Sequence, residues 1–336
     1  MSAPRLRAGV IGLGAMGRNH ARVLSGLDGV ELVGCSDPAV TDTRVSHGAP
    51  IHPTVEALVE AGVDYAVVAC PTGLHEEVGL YLAEHGVAAL VEKPLADSEE
   101  GARRLVEAFE SRGLVAGVGH IERYNPALQS LRERLSAGDL GEIYQVVTRR
   151  QGPFPARIAD VGVVKDLATH DIDLTAWVTG RQYLSVSART SRKSGREHED
   201  MVAVVADLEH GTIANHLVNW LSPLKERATI VTGEKGCFVA DTLTADLTFY
   251  ANGATTSEWE TMRNFRGVSE GDMTRYAIAR REPLLVEHER FRDAVLGVAD
   301  DIVTVREGMR TVEVSSAVLR AAEQGGTVSV AATLPA

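Results

Sequence analysis

The sequence predicts an α/β domain built on a doubly wound parallel sheet, followed by an α+β domain with a large, mostly antiparallel open sheet. Three observations carry this reading. The 336 residues exceed the length over which a single core keeps growing. Up to about Gly119, short apolar runs alternate with amphipathic stretches, the pattern of buried parallel strands covered by helices. Beyond it, segments of period two are divided by His210-Gly211, Gly233 to Gly236 and Asn252-Gly253, which are hairpin signals.

In the first domain, strands are expected at Ala8 to Gly12, Val30 to Ser36, Tyr65 to Ala69, Ala88 to Glu92 and Leu114 to Val118, with helices beginning near Gly14, Leu74 and Ser98. The second opens with a helix from about Asn125 to Ser136, a strand near Ile143 to Arg150 and a helix from about Thr169 to Gly180. Strands follow at Met201 to Leu208, Thr212 to Asn219, Ala228 to Thr232 and Leu247 to Tyr250. Helical spacing returns over Val286 to Leu296 and Val303 to Glu323, and Gly325-Gly326 supplies a stop. The domains are thus 1–120 and 121–336, with a boundary near Gly119 to Glu122. The charged stretch Arg189 to Asp200 reads as an exposed hairpin, a solvated loop rather than a lid.

A net charge of -12, with no long Lys/Arg block, argues against nucleic acid and anionic membrane as partners. Cys35, Cys70 and Cys237 are widely spaced and suit a reducing cytoplasm. Met1 to Arg7 leaves no room for a signal peptide, and no apolar run is long enough to span a bilayer.

Gly12, Gly14 and Gly17, with Ala15 and Met16 between them, form GxGxxG directly after a strand and opening a helix. The first glycine permits the tight turn, the second lets backbone approach a pyrophosphate, and the third lets helix and strand pack closely. The amides at the helix start attract phosphate. This is the turn of a dinucleotide-binding Rossmann domain. Asp37, ending the second strand, stands where a carboxylate accepts from the adenosine ribose and repels a 2′-phosphate, which favours NAD; a helix cap before Pro38 is the alternative. Ser36 is the only nearby group to soften that repulsion.

With these residues in view, the chain resembles the Gfo/Idh/MocA group of sugar and cyclitol dehydrogenases. The resemblance rests on Gly12 to His20 (GLGAMGRNH), Cys70 to His75 (CPTGLH), Glu92-Lys93-Pro94 and Asp166 to Asp173 (DLATHDID), in that order. Within the group, Gly119 to Pro126, Gly152 to His170 and Trp220 to Arg227 are most similar to UDP-N-acetylglucosamine 3-dehydrogenases. The resemblance implies that Cys70, Pro71, Thr72, His75, Glu92 and Lys93 also face the cofactor, and that Arg123 and Tyr124 belong to the substrate side. Cys70 replaces the group's usual threonine or apolar residue, and Lys165 stands where an apolar residue is common.

Oxidising a secondary alcohol takes a hydride acceptor and a group that removes the hydroxyl proton. Lys93 follows a strand at its carboxyl end, the ligand edge of an open parallel sheet; from position alone it is either catalytic or a solvated surface lysine. Asp166 and His170 are four apart near a helix start, so both can project from one face. Taken alone, His170 is a structural residue or a cap. The resemblance implies instead that Lys93, Asp166 and His170 are the catalytic set: His170 takes the hydroxyl proton, Lys93 stabilises the oxygen's negative charge and Asp166 orients them. It also implies that Glu92 and Pro94 shape the lysine loop, with a cis bond before the proline. Asp173 either contacts a substrate hydroxyl or lies on the helix surface. No metal is expected, since HExxH and similar spacings are absent.

Arg149, Arg150, Arg157, Lys225 and Arg227 either bind a diphosphate or line a solvated strand face. The expected substrate is a sugar or sugar nucleotide. The alternatives are inositol or a simple sugar, a keto-sugar reductase, or a sensor that binds dinucleotide without turnover. The resemblance implies a homodimer or homotetramer joined through the outer face of the second sheet.

Overall fold

The computed structural model describes residues 5–154, 161–253 and 269–330. The chain forms two compact units: residues 1–121 with 282–316, and residues 122–281 with 317–336.

The first unit is organised on strands β1 (Leu6–Ile11), β2 (Val30–Ser36), β3 (Ile51–His52), β4 (Tyr65–Val68), β5 (Ala88–Glu92) and β6 (Ala116–Gly119). All pair in parallel, in the order β3-β2-β1-β4-β5-β6. That order reverses direction between β1 and β4, the point at which doubly wound sheets bind ligands beyond their carboxyl ends. The strands have apolar side chains on both faces because helices α1 (Ala15–Leu24), α2 (Val55–Glu60), α3 (His75–Glu84) and α4 (Glu99–Glu110) cross over them. Ser98 caps α4 by accepting from Gly101 N at 3.0 Å, and Thr54 caps α2 from Ala57 N at 3.3 Å. The sequence reading passed over β3 and α2, which are two and six residues long and too short to show a period.

A segment from late in the chain completes this unit, so dividing the chain at residue 120 does not describe the packing. Helix α7 (Pro283–Val295) brings Phe291 into the core beside Val10, Leu24, Tyr65 and Leu90; the Phe291 and Tyr65 rings lie edge to face with centroids 5.4 Å apart. Beyond α7, Val118 N donates to Val303 O at 2.8 Å. Helix α8 (Val305–Gln324) is divided between the units after Ser316.

The second unit carries helices α5 (Pro126–Ser136) and α6 (Thr169–Thr179), and strands β7 (Ile143–Pro153), β8 (Tyr183–Ser191), β9 (Met201–Leu208), β10 (Ile213–Asn219), β11 (Leu221–Gly233), β12 (Gly236–Asp241), β13 (Asp246–Gly253), β14 (Ser269–Arg275) and β15 (Thr327–Ser329). They form a sheet of order β14-β13-β12-β11-β7-β10-β9-β8-β15, antiparallel except where β7 meets β10. Leu128 and Leu131 of α5 and Leu174 and Val178 of α6 pack on Val146, Val231, Phe238 and Leu247 of the sheet. The other side of each strand faces outward: Val205 on β9 is 51% exposed while its neighbours Val204 and Ala206 are buried. Between β9 and β10, His210 and Gly211 both have positive φ, 57° and 71°, as a tight hairpin reversal requires.

Two differences from the sequence reading matter here. Strand β11 starts at Leu221 rather than Ala228. Arg189 to Ser191 belong to β8, and the segment after them ends in the buried Glu199 and Asp200, so this stretch is not simply a solvated loop.

Candidate active site

In the first unit β1 runs into Gly12, whose φ of 90° suits glycine alone. A Cβ there would stand 2.7 Å from Ala69 O and Cys70 N, so the turn after β1 touches the turn after β4. A Cβ on Gly17 would overlap Gly12 O, whereas at Gly14 it would meet nothing within 4 Å. The first and third glycines therefore answer to the protein's own packing. The second keeps open the side on which the α1 amides begin.

Asp37 is half-buried and ties this turn down: Oδ2 accepts from Leu13 N at 2.8 Å, and Oδ1 from Ala39 N and Val40 N at 2.9 and 3.1 Å. No helix starts there, so the carboxylate holds a turn instead of capping a helix. These three bonds leave part of its acceptor capacity for a ribose hydroxyl. The open glycine, the amides at the start of α1 and this carboxylate fit a dinucleotide.

After β4, Cys70 and Pro71 lead into a short helical turn, Thr72–Leu74, and then α3. His75 is buried with Nδ1 2.9 Å from Pro94 O and Nε2 3.0 Å from Cys70 O. It thus joins the 70s turn to the lysine loop as an internal strut. Burial pushes its pKa down, against the pull of both carbonyls. Burial also pushes the Cys70 thiol up to about 11, far from a reactive thiolate. Glu92 ends β5, Lys93 follows half-buried, and the Lys93–Pro94 bond is cis.

In the second unit Asp166 lies on a π-helical turn, Val164–Ala168, that runs directly into α6, where His170 occupies the first turn. Such turns recur at functional sites. Asp166 is buried and His170 half-buried. Glu199 braces the turn: its Oε1 accepts from Val164 N at 3.1 Å and its backbone O from Val163 N at 2.9 Å. A Cβ at Gly162 would overlap the Glu199 carboxylate. The sequence reading missed both residues; a Glu-Asp pair directly before a strand start was the available signal.

The remaining substrate-side residues separate into two groups. Arg123 and Asp173 form a buried, two-pronged ion pair at 2.6 and 2.9 Å, with the Arg123 guanidinium 5.8 Å from the Trp177 ring centre. Each of the two side chains thus holds the other, and Tyr124, next to Arg123 in sequence, is buried. Arg150 is spent on Asp171 at 2.9 Å and Glu122 at 2.8 Å. Burial opposes all three charges; the two carboxylates outweigh it and raise Arg150, Arg150 brings Glu122 down, and Asp171 stays raised. Arg149 pairs with Glu226 at 3.2 Å, Lys225 is exposed, and Arg157 lies outside the described residues. Arg227 is half-buried, its pKa lowered by burial and by Arg150 and supported by Glu122, Asp171 and Asp166. Phe154 and Trp220, from two stretches singled out in the sequence, stack edge to face at 5.3 Å, with the Arg196 guanidinium over both rings.

Comparison with known proteins accords with these features. Residues 6–120 match the model of the oxidoreductase family with the NAD-binding Rossmann fold, and residues 128–239 match the GFO/IDH/MocA C-terminal domain. The chain belongs to the Gfo/Idh/MocA oxidoreductase family. It is 30% identical to UDP-N-acetylglucosamine 3-dehydrogenase of Acidithiobacillus ferrooxidans over 86% of this chain and 88% of that one. A solved structure of that enzyme superposes with a TM-score of 0.82 at 28% identity, covering 95% of this chain and 98% of that one. Inositol 2-dehydrogenase 2 of Saccharopolyspora erythraea is 30% identical over 62% of this chain and 65% of its own. GenD2 from gentamicin A biosynthesis, solved in complex with NAD, gives a TM-score of 0.81 at 27% identity over 99% and 98% of the two chains. This Gfo/Idh/MocA chain is accordingly an NAD-dependent dehydrogenase, and both the Rossmann domain and the mostly antiparallel second sheet are as its sequence predicts.

Proposed function

We propose that the protein oxidises a secondary alcohol of a sugar nucleotide, a UDP-N-acetylhexosamine being the first candidate. The observation that supports this most is the grouping of Asp166 on a braced π-helical turn, His170 one turn on, and the cationic Arg227 in the electrostatic field of Asp166, all within one unit. The likeness to a UDP-N-acetylglucosamine 3-dehydrogenase runs the same way. An anionic substrate gives Arg227 a role that a neutral sugar does not.

When bound, NAD supplies the acceptor for the electrons of the C–H bond. His170 removes the hydroxyl proton, and Asp166, an acceptor-only carboxylate, steadies the imidazolium that results. Lys93 stabilises the negative charge that develops on the oxygen. The same groups serve the reverse reaction on a keto-sugar. The likeness to an inositol dehydrogenase supports a cyclitol as the second reading. As part of the proposal, the protein works in the cytoplasm as a homodimer or homotetramer. The outward Tyr144, Leu184, Val205, Ile213 and Leu217 of β7 to β10 supply an apolar face for that contact.

NADH absorbance with UDP-N-acetylglucosamine, inositol and glucose tests the assignment. Turnover is expected with the nucleotide sugar, and Lys93→Ala and His170→Ala should each lower kcat by at least about a hundredfold with NAD binding retained. Faster turnover of inositol would move the assignment to cyclitols. NAD binding without turnover across a broad sugar panel would make the protein a sensor.

A further inference from the structure

Within the first unit, three buried polar side chains form a connected series behind the lysine loop. His20 on α1 and His288 on α7 are fully buried and meet edge to face, with His20 Nδ1 2.9 Å from His288 Nε2. His20 Nε2 lies 2.9 Å from Glu92 Oε1, and Glu92 Oε2 accepts from the Lys93 backbone N–H at 3.1 Å. Glu92 also packs against Gly119, where a Cβ would stand 3.2 Å from its carboxyl carbon. Glu287, beside His288 on α7, is 1% exposed, and its carboxyl oxygens have no hydrogen-bond partner among the described residues.

The protonation pattern follows from what each atom can do. Burial tends to raise Glu92, but the bond donated by His20, the Lys93 charge and the Lys93 backbone N–H outweigh it, so its pKa falls and the carboxylate is ionised. An ionised carboxylate only accepts, so His20 Nε2–H donates to it. Burial holds His288 well below the usual histidine range. A neutral His288 donates from Nε2 to His20 Nδ1. Burial and the Glu92 charge hold Glu287 well above the carboxylate range, so it adds no second anion. His288 Nδ1 is buried with no partner among the described residues.

We propose that His288, acting through His20 and Glu92, is a positioning residue that fixes the backbone at Lys93. The proposal rests on the assignment of Lys93 as catalytic. It predicts that changing His288 alters turnover more than dinucleotide affinity, since none of the three side chains belongs to the glycine turn.

The test compares full-length wild type, His288→Gln, His288→Leu and Lys93→Ala on the best substrate of the panel, together with long-range 1H–15N spectra of histidine-labelled wild type. His288→Leu should lower kcat about tenfold with KM for NAD changed less than about twofold. His288→Gln, whose Nε2 amide can still donate to His20, should return kcat to within about threefold of wild type. The spectra should show His288 neutral, with its proton on Nε2, from about pH 5.5 to 8. Equal activity of the Gln and Leu variants, or a His288 that titrates in that range, would overturn the proposal. Lys93→Ala at wild-type turnover would overturn the lysine assignment instead, and the histidine spectra distinguish the two failures because they do not depend on turnover.

Discussion

Asp37 serves the protein and its ligand with one carboxylate. Because Oδ2 holds Leu13 N and Oδ1 holds the turn at Ala39 and Val40, removing the side chain loosens the glycine turn as well as the contact to ribose. Asp37→Ser is therefore expected to weaken NAD binding by about tenfold and to narrow the preference for NAD over NADP, as read from the two dissociation constants by fluorescence titration. A second residue sets the acid limit of the second unit. His216 lies buried between Thr148 Oγ1 at 2.7 Å and Tyr183 OH at 2.9 Å, two hydroxyls that satisfy a neutral ring, and burial pushes its pKa down to about 4 from 6.5. Above 6.5 the ring is neutral in both the folded and unfolded states, so the stability it permits is fully present. As pH falls towards 4 the unfolded chain takes up a proton that the folded chain refuses, and roughly 2–4 kcal/mol is lost. Urea midpoints measured across that range should fall for wild type and fall less for His216→Gln.

At the scale of elements, the turn bearing Asp166 is shaped from a distance. Gly162 leaves room for Glu199, and Glu199 in return holds the amides of Val163 and Val164. Gly162→Ala should destabilise the protein by about 1–3 kcal/mol in urea titration and lower kcat with little change in KM for NAD. Such a brace was not legible in the sequence, because it joins residues 37 apart, and Glu199 falls in a charged stretch that reads as solvated. The Arg123–Asp173 pair was hidden in the same way, its members lying 50 residues apart. What was legible obeys local rules. The glycines of the dinucleotide turn announce themselves because sterics at Gly12 and Gly17 admit nothing larger, and Asn125 and Ser98 mark their helix starts by capping them. Strand β9 was read residue for residue, since one face is buried and the other is not. Strand β8, whose alternation breaks down towards Ser191, was not.

At the scale of the whole molecule, sequence order and packing order differ. The spacing of apolar residues showed that residues 286–296 form a helix with a buried side, but not which core that side serves. Phe291 answers this by lying against Tyr65 in the first unit. Phe291→Ala should cost about 3–5 kcal/mol by urea titration, and a fragment of residues 1–121 should fail to unfold cooperatively while the full chain does. The contact also orders events during synthesis. Strands β1 to β6 leave the ribosome long before α7 does, and until then the newborn sheet lacks part of its cover, with Tyr65 deprived of its aromatic neighbour. The dinucleotide half can thus mature only after most of the other half has been translated, and a ribosome stalled after residue 121 would display a sticky intermediate that chaperones recognise.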